Sequence, residues 1–581
     1  MPRKLKFTFC ILFCCILGVS AQEEDLGTET VTVVKPYSPT VSDAFKIKSV
    51  PVLNDSIIQT KKEINYSIFS VPVASTFVPA KGKAATVQRS APEKLFNSSV
   101  SMGLGNFNNA LLDFYTSRDI DRGNQRIDFG INHFSSRGDL DFTPLETDFY
   151  NTDIDATYSN KGRDGNWGIS LGGGHKLYNW YGLPEGVFDE ATISGIDEQQ
   201  QYYNVGLAAE FEQEDATFQD GSFRVKRFWD DVESAENRAI ILTSLHFPLS
   251  QESFALGISA DYVGGEFNNA DVNNTANAQG INYSQFQAGI SPSILIEQDG
   301  LSLRLGANLV YGLDMENSES NFYIYPQVTA SYRLLEEMVI VYGGVSGQLN
   351  QNSYADYVEE NPFVSPTLFI QPTDQQYDAR IGFKGQLFPN LSYNVRGSYT
   401  AENRKPLFKL NPQNDFRDEE GYTYGNSFEL FYDDVKTLGV FGELNLDVNR
   451  NFSLGVNASV MEYDTETDNP AWNLPNLRGS LFADLQIDDH WFAGATVFYV
   501  GEREDLSAVV VPNAQPADYP ASILTLDAYV DANAHLGYRL SDQLSIFAKA
   551  SNLANNDYQR WANFRVQSFQ ILAGVTYKFD F

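Results

Sequence analysis

Along much of this chain, apolar and polar residues alternate with a period of two. At the C-terminus, Phe569, Ile571, Ala573, Val575, Tyr577, Phe579 and Phe581 take one set of alternate positions; Ser568, Gln570, Gly574, Thr576, Lys578 and Asp580 take the other. Successive side chains of a β-strand point to opposite faces, so this stretch reads as a strand with one apolar and one polar face. Residues 477–488, 301–311 and 377–387 repeat the pattern, with Arg304, Arg380, Lys384 and Arg478 on the polar side. Between such segments, short and long polar connections take turns. Tight turns fall at Asp299-Gly300, Glu336-Glu337, Pro389-Asn390, Asn449-Arg450-Asn451, Asp488-Asp489-His490 and Ser541-Asp542-Gln543. Long loops are expected at 264–283, 350–375, 402–437, 463–475, 502–523 and 554–565.

Composition changes what those strands mean. The mean hydropathy is −0.29, yet the chain carries 41 Phe and 31 Tyr. A polar average with a persistent alternation is what results when one side of each strand meets lipid and the other a wet lumen. Only a closed barrel spans lipid without helices, because an open sheet leaves unpaired edge amides in hydrocarbon. The charges on the polar faces are therefore assigned to the lumen. Counting back from the C-terminus gives about 22 strands, an even number as such barrels require. That parity takes Ser427 to Tyr432 as a hairpin inside a long loop and Phe223 to Trp229 as a short strand. The expected fold class is all-β: a transmembrane antiparallel β-barrel preceded by an extended N-terminal periplasmic arm. Tyr178, Trp180, Tyr181, Phe228, Trp229, Trp491, Phe492, Phe498 and Tyr499 stand near proposed strand ends, where aromatic girdles meet the membrane interfaces.

The N-terminus supplies a compartment. Arg3, Lys4 and Lys6 precede the apolar stretch Phe7 to Val19, and Val19-Ser20-Ala21 offers small residues for cleavage before Gln22. Residues 1–21 thus read as a signal peptide, too short to be a transmembrane helix. All three cysteines (Cys10, Cys14, Cys15) lie inside it, so the mature chain has no disulfide, thiolate–zinc or thiol chemistry. The net charge of −34 becomes still more negative on cleavage, which excludes nucleic acid as a partner. Residues 22–97 have a different character. From 35 to 96 there is one glycine, Gly82, among Pro36, Pro39, Pro51, Pro72, Pro79 and Pro92. That is too little patterned sequence for a domain with its own core, and it reads as an arm. Its lysines and arginines outnumber its acids, so a basic arm precedes an acidic barrel, spanning 98–581.

No catalytic constellation is legible. His133, His175, His246, His490 and His535 are scattered singly, and the acidic loop Asp415-Phe416-Arg417-Asp418-Glu419-Glu420 lacks a defined ligand spacing for a cation. Gly172-Gly173-Gly174 falls within a strand pattern and reads as a barrel bend. The expectation is a non-enzyme with no metal and no cofactor.

Four short segments carry a family resemblance. Glu29-Thr30-Val31-Thr32-Val33 resembles the TonB box of TonB-dependent receptors, a β-prone strand near the mature N-terminus that pairs with TonB. Asn552-Leu553 followed by Asn556-Asp557-Tyr558 is similar to that family's closing hairpin, with Ala554 in place of the usual aromatic. Val34-Lys35-Pro36-Tyr37-Ser38-Pro39 with Ser42-Asp43-Ala44-Phe45 looks like a group of such barrels from Bacteroidota-type bacteria. Gly574, Tyr577, Phe579 and Phe581 have the spacing of the C-terminal signal read by the barrel-assembly machinery. The resemblance implies an outer-membrane location in a Gram-negative cell and transport of a small nutrient or chelate. The chain departs from the family in leaving no room for a plug. Without one, a barrel this wide is a hole unless arm, loops or partner fill it. The alternative is a plugless barrel serving as a structural subunit of an outer-membrane assembly or secretion complex, contacting other outer-membrane proteins or lipoproteins.

Overall fold

The computed structural model describes residues 95–581 apart from positions 139, 141, 164, 214–216, 250–251, 271–279, 413–419 and 508–521. The expected signal peptide, residues 22–94 of the arm and the segment Glu29 to Val33 lie outside the described residues. The first strands are β1 (Ser98–Gly105), β2 (Ala110–Ile120), β3 (Gln125–Ser136), β4 (Phe149–Lys161), β5 (Asn166–Asn179), β6 (Gln199–Glu212) and β7 (Phe218–Asp230). The middle of the chain forms β8 (Ser234–Leu249), β9 (Glu252–Ala270), β10 (Gly280–Gln298), β11 (Leu301–Asp314), β12 (Glu319–Leu335), β13 (Val339–Asn350) and β14 (Thr373–Phe388). Then follow β15 (Leu391–Leu410), β16 (Phe428–Asn449), β17 (Phe452–Thr465), β18 (Leu477–Gln486) and β19 (Trp491–Val500). The last are β20 (Arg503–Ser507), β21 (Ser522–Leu526), β22 (Tyr529–Arg539), β23 (Leu544–Ser551), β24 (Gln559–Trp561), β25 (Phe564–Arg565) and β26 (Gln570–Phe579). Among the described residues α-helix is confined to loops, in α1 (Glu190–Ile193) and α2 (Tyr354–Glu360).

Twenty-two of these strands form one antiparallel meander in which each pairs with the next; β20–β21 and β24–β25 are separate small hairpins in loops. The sheet closes where β1 pairs with β26, Ser98 opposite Phe579 and Gly103 opposite Gly574. Closure leaves no edge amides along the wall, and an even count lets first and last strands meet antiparallel. It also puts both ends of the meander at one rim. Connections at that terminal end run from two to five residues and include all six turns expected from the sequence. Connections at the opposite rim, the loop end, reach 28 residues in 501–528.

Two features of the expected parity are corrected, although the count of 22 stands. Phe428 to Tyr432 is no hairpin but the first part of the 22-residue β16, laddered onto Pro406 to Leu410 of β15. Phe223 to Trp229 belongs to a full-length strand, the 13-residue β7. The expected loop at 402–437 was drawn too wide for the same reason. Strands β15 and β16 extend beyond the lipid-facing span, where the alternation of hydropathy no longer marks them.

The apolar set of alternate positions faces outward. Ile258, Ile290, Leu309 and Ile324 stand side by side across four strands, as do Val456, Leu481, Val497 and Ala532. Ile290 is 49% exposed and Ile324 67%, which a water-soluble protein would not tolerate around a whole circumference. The solvent of this belt is lipid.

Candidate functional site

Residues 351–372, between β13 and β14, fold into the mouth of the barrel. Ser353 starts α2 by accepting a hydrogen bond from the Asp356 backbone N–H at 3.1 Å, an N-cap that satisfies one otherwise orphaned donor. Tyr354, Ala355, Tyr357 and Val358 fall on one side of this two-turn helix and are buried. Asp356, Glu359 and Glu360 take the other side. The Tyr354 ring meets Phe228 of β7 at 5.2 Å and Phe267 of β9 at 4.9 Å. Tyr357 meets Phe408 of β15, edge-on, at 5.9 Å. One short helix can touch walls so far apart around the ring only from inside it. The face bearing Phe228, Phe267 and Tyr283 is therefore the lumen face.

Polar bonds seat the loop. Glu236 of β8, 2% exposed, accepts from the Tyr283 hydroxyl at 2.6 Å and from the Tyr354 and Ala355 backbone N–H groups at 2.6 and 3.3 Å. Those amides are the free donors of the first helical turn, where a carboxylate is stabilised by charge-assisted bonds. Tyr354 donates its hydroxyl to Asp230 at 2.8 Å, and Tyr202 donates to the Pro362 carbonyl at 2.8 Å. On the polar side, Arg238 holds Asp261 through two nitrogens and reaches Asp356 at 2.8 Å. Lys176 pairs with Glu359.

Other loops pack onto this one. Phe363 stacks on Phe564 of β25 at 3.9 Å, and the Tyr181 hydroxyl donates to the Arg565 carbonyl at 3.0 Å. Trp180 meets Tyr422 at 5.3 Å, while the Asn426 amide donates to the Trp180 carbonyl at 2.6 Å. Asp505, in the β20–β21 hairpin, accepts from the Leu410 backbone N–H at 2.9 Å and the Asn473 amide at 2.8 Å. Burial pushes its carboxyl up to about 6. Burial also raises Glu360, against the opposing pull of Arg478, Lys405 and Arg560. A cavity of about 380 Å³ lies between the end of α2 and the closing hairpin, lined by Tyr178, Phe363, Tyr558, Arg560 and Phe564 among others.

The residues expected to matter fall elsewhere. Gly574, Tyr577, Phe579 and Phe581 sit on and just beyond β26 at the terminal end, far from the loop cluster. Tyr577 lies opposite Val100 and Leu544, and Gly574 opposite Gly103 and Phe547. Phe581 is 76% exposed. Tyr178, Trp180, Tyr181 and Phe228 are not girdle aromatics: they face the loop cluster, which their position at the loop end equally allows. Asn552 of the closing hairpin is buried with φ +49° and its amide donates to the Asn556 and Gln567 carbonyls, both at 2.9 Å. It knots the last loop, giving that Asn-Leu pair a structural reason. Among the described residues, no group of three or more His, Cys, Asp or Glu could hold a metal ion. The sequence reading missed Glu236 and Tyr354; the visible signal was Ser353-x-x-Asp356 opening an apolar stretch within a long loop.

Solved structures share this barrel. The pyoverdine outer-membrane receptor FpvA from Pseudomonas aeruginosa superposes with a TM-score of 0.61 at 14% identity, over 84% of this chain and 80% of its own. The siderophore receptor PirA from Acinetobacter baumannii gives 0.61 at 13%, over 83% and 80%. The ferric-catecholate import receptor Fiu from E. coli gives 0.59 at 12%, over 84% and 82%. The chain has the fold of these siderophore receptors. No family model and no curated protein matches it in sequence. The likeness extends to the 22-strand count of such receptors, while the chemistry at the mouth is read from this chain's own residues.

Proposed function

We propose that this chain is an outer-membrane receptor that passes a small nutrient or chelate through its lumen, with residues 351–372 as the element that narrows the path. The observation that carries this reading is the seating of α2 across the mouth by Glu236, Asp230 and Arg238, on a barrel of siderophore-receptor fold. A wide barrel with a folded-in loop restricts passage in the manner of a sized pore. In this reading residues 1–21 are removed on export, 22–97 form a periplasmic arm, and Glu29 to Val33 pair with TonB. Gly574, Tyr577, Phe579 and Phe581 address the chain to the barrel-assembly machinery. The test is deletion of residues 29–33 in the native cell, with uptake of labelled ferric chelates measured alongside surface level. Lost uptake at normal barrel abundance is expected. Unchanged uptake, together with stable co-purification of other envelope proteins in detergent, would replace transport with a structural role in an assembly.

A further inference from the structure

The lumen face can be followed strand by strand from the folded-in loop. Gln287 of β10 donates to Gln351 of that loop at 2.7 Å, so it points inward. Leu295 shares its parity on the same strand and lies opposite Arg304. Arg304 then lies opposite Thr329, Thr329 opposite Gly344, Gly344 opposite Arg380, and Arg380 opposite Ser398. The next inward row runs Ser302, Ser331, Tyr342, Gly382, Arg396. The row after it runs Arg333, Ile340, Lys384, Asn394. Five cations thus stand on one stretch of lumen wall, β11 to β15.

Fewer of these cations hold a carboxylate than on β5 to β9. On β5 to β9 three of the four inward cations, Lys176, Arg224 and Arg238, each hold a carboxylate, and the fourth, Lys226 opposite Arg238, lies over the Phe228 ring at 5.8 Å. Across the three rows, among the described residues, one carboxylate pairs with a cation: Asp378, at 2.5 Å from Arg380. Arg396 lies over the Phe441 ring at 4.7 Å, and Lys384 over the Tyr342 ring at 5.3 Å. Those contacts take one face of each cation. Arg396 is the diagonal neighbour of both Arg380 and Lys384, roughly 7–8 Å from each by sheet geometry, a span that long side chains can close around one ligand. The absence of a side chain at the inward Gly344 leaves a recess of about 360 Å³ there, lined also by Ser302, Thr329, Ser331, Ser346, Arg380 and Arg396.

We infer that this wall is an anion site, taking a small molecule that bears two or more oxyanion charges, phosphate or carboxylate. Five cations against three inward carboxylates on or beside these rows, Asp378, Glu297 opposite Ser302 and Glu443 opposite Asn394, leave an excess of positive charge. In a channel walled by low-dielectric material such an excess focuses a positive potential, and guanidinium forks with hydroxyls match oxyanion geometry. The inference rests on the transport reading only in naming the cargo's charge; the site itself stands on the wall. The experiment is calorimetric titration of the full-length chain in neutral detergent with pyrophosphate and, separately, citrate. Saturable binding that weakens with added salt is expected, and the two arms tell phosphate from carboxylate preference. The double variant R380Q/R396Q is expected to bind at least about tenfold more weakly, while R380K/R396K keeps most of the affinity because it keeps the charge. R224Q, on β7 outside this stretch, is expected to bind as the parent does. Absence of saturable binding of both probes, or equal loss in R224Q and R380Q/R396Q, overturns the anion site. Uptake lost on deleting residues 29–33 with no anion binding would leave transport intact and remove only this assignment.

Discussion

Glu236 is the side chain on which the seated loop depends most. Its carboxylate answers two helix amides and a tyrosine hydroxyl in a place that water does not reach. Truncation to alanine leaves those donors facing one another, at about 1–3 kcal/mol for each buried group left unpaired. Glu236→Ala is expected to raise hydrogen exchange across residues 351–372 by tenfold or more with the barrel ladders still protected; unchanged protection in the loop would refute the seating role. Tyr354→Phe removes one bond while Asp230 keeps the Val232 and Ser234 amides, so a loss of only about 0.5–1.5 kcal/mol is expected in the same measurement. Gly421 acts through what it lacks. A Cβ there would stand 1.7 Å from the Asp197 carbonyl oxygen, so Gly421→Ala must push loop 411–427 off loop 180–198. Faster proteolysis within those two loops is the expected readout.

At the scale of the element, each strand has two incompatible faces. Leu481 points to lipid between Val456 and Val497, and its neighbour Ser480 points to the lumen. Leu481→Arg is expected to cost about 2–4 kcal/mol of membrane stability and Ser480→Arg far less, measured by urea unfolding in lipid. Equal effects would mean that the faces are misassigned. The β20–β21 hairpin adds a pH dependence. Burial holds Asp505 at about 6, above the 3.8 of a solvated aspartate, so the folded hairpin binds the proton more tightly than the unfolded chain. Its contribution is fully present below pH about 4 and is lost as pH rises through 6. Exchange protection of residues 466–476 and 501–507 is therefore expected to fall between about pH 4 and 6, and to lose that dependence in Asp505→Asn.

For the whole molecule, closure is the property everything else assumes. Strand β26 is held by β23 on one side and β1 on the other. Removing residues 570–581 leaves two open edges in hydrocarbon, each unpaired amide costing several kcal/mol. Such a chain is expected to fail to insert and to lose the gel-mobility difference between heated and unheated samples that closed barrels show. A truncated chain that still inserted would also discount the C-terminal signal of Gly574, Tyr577, Phe579 and Phe581.

The alternation of Phe569 to Phe581 or of Leu477 to Ile487, read alone, is enough to require strands with one lipid face, and a chain of such strands with no apolar helix has only a closed barrel available to it. The tight turns were legible for the same reason, since a two-residue connection at Asp299-Gly300 needs local chemistry only. Strand ends at the loop rim were not: Phe428 to Tyr432 left the membrane, where hydropathy stops reporting strand direction and ladder bonds to β15 take over. Nor could any pattern announce that Glu236 meets Tyr354, 118 residues away, or that Arg304, Arg380 and Arg396 share one wall. Secondary structure and the lipid face follow from neighbours in sequence. What narrows the lumen, and which charges stand together inside it, follow from register around a closed ring and from a loop that folds back into it, and only the tertiary structure decided those.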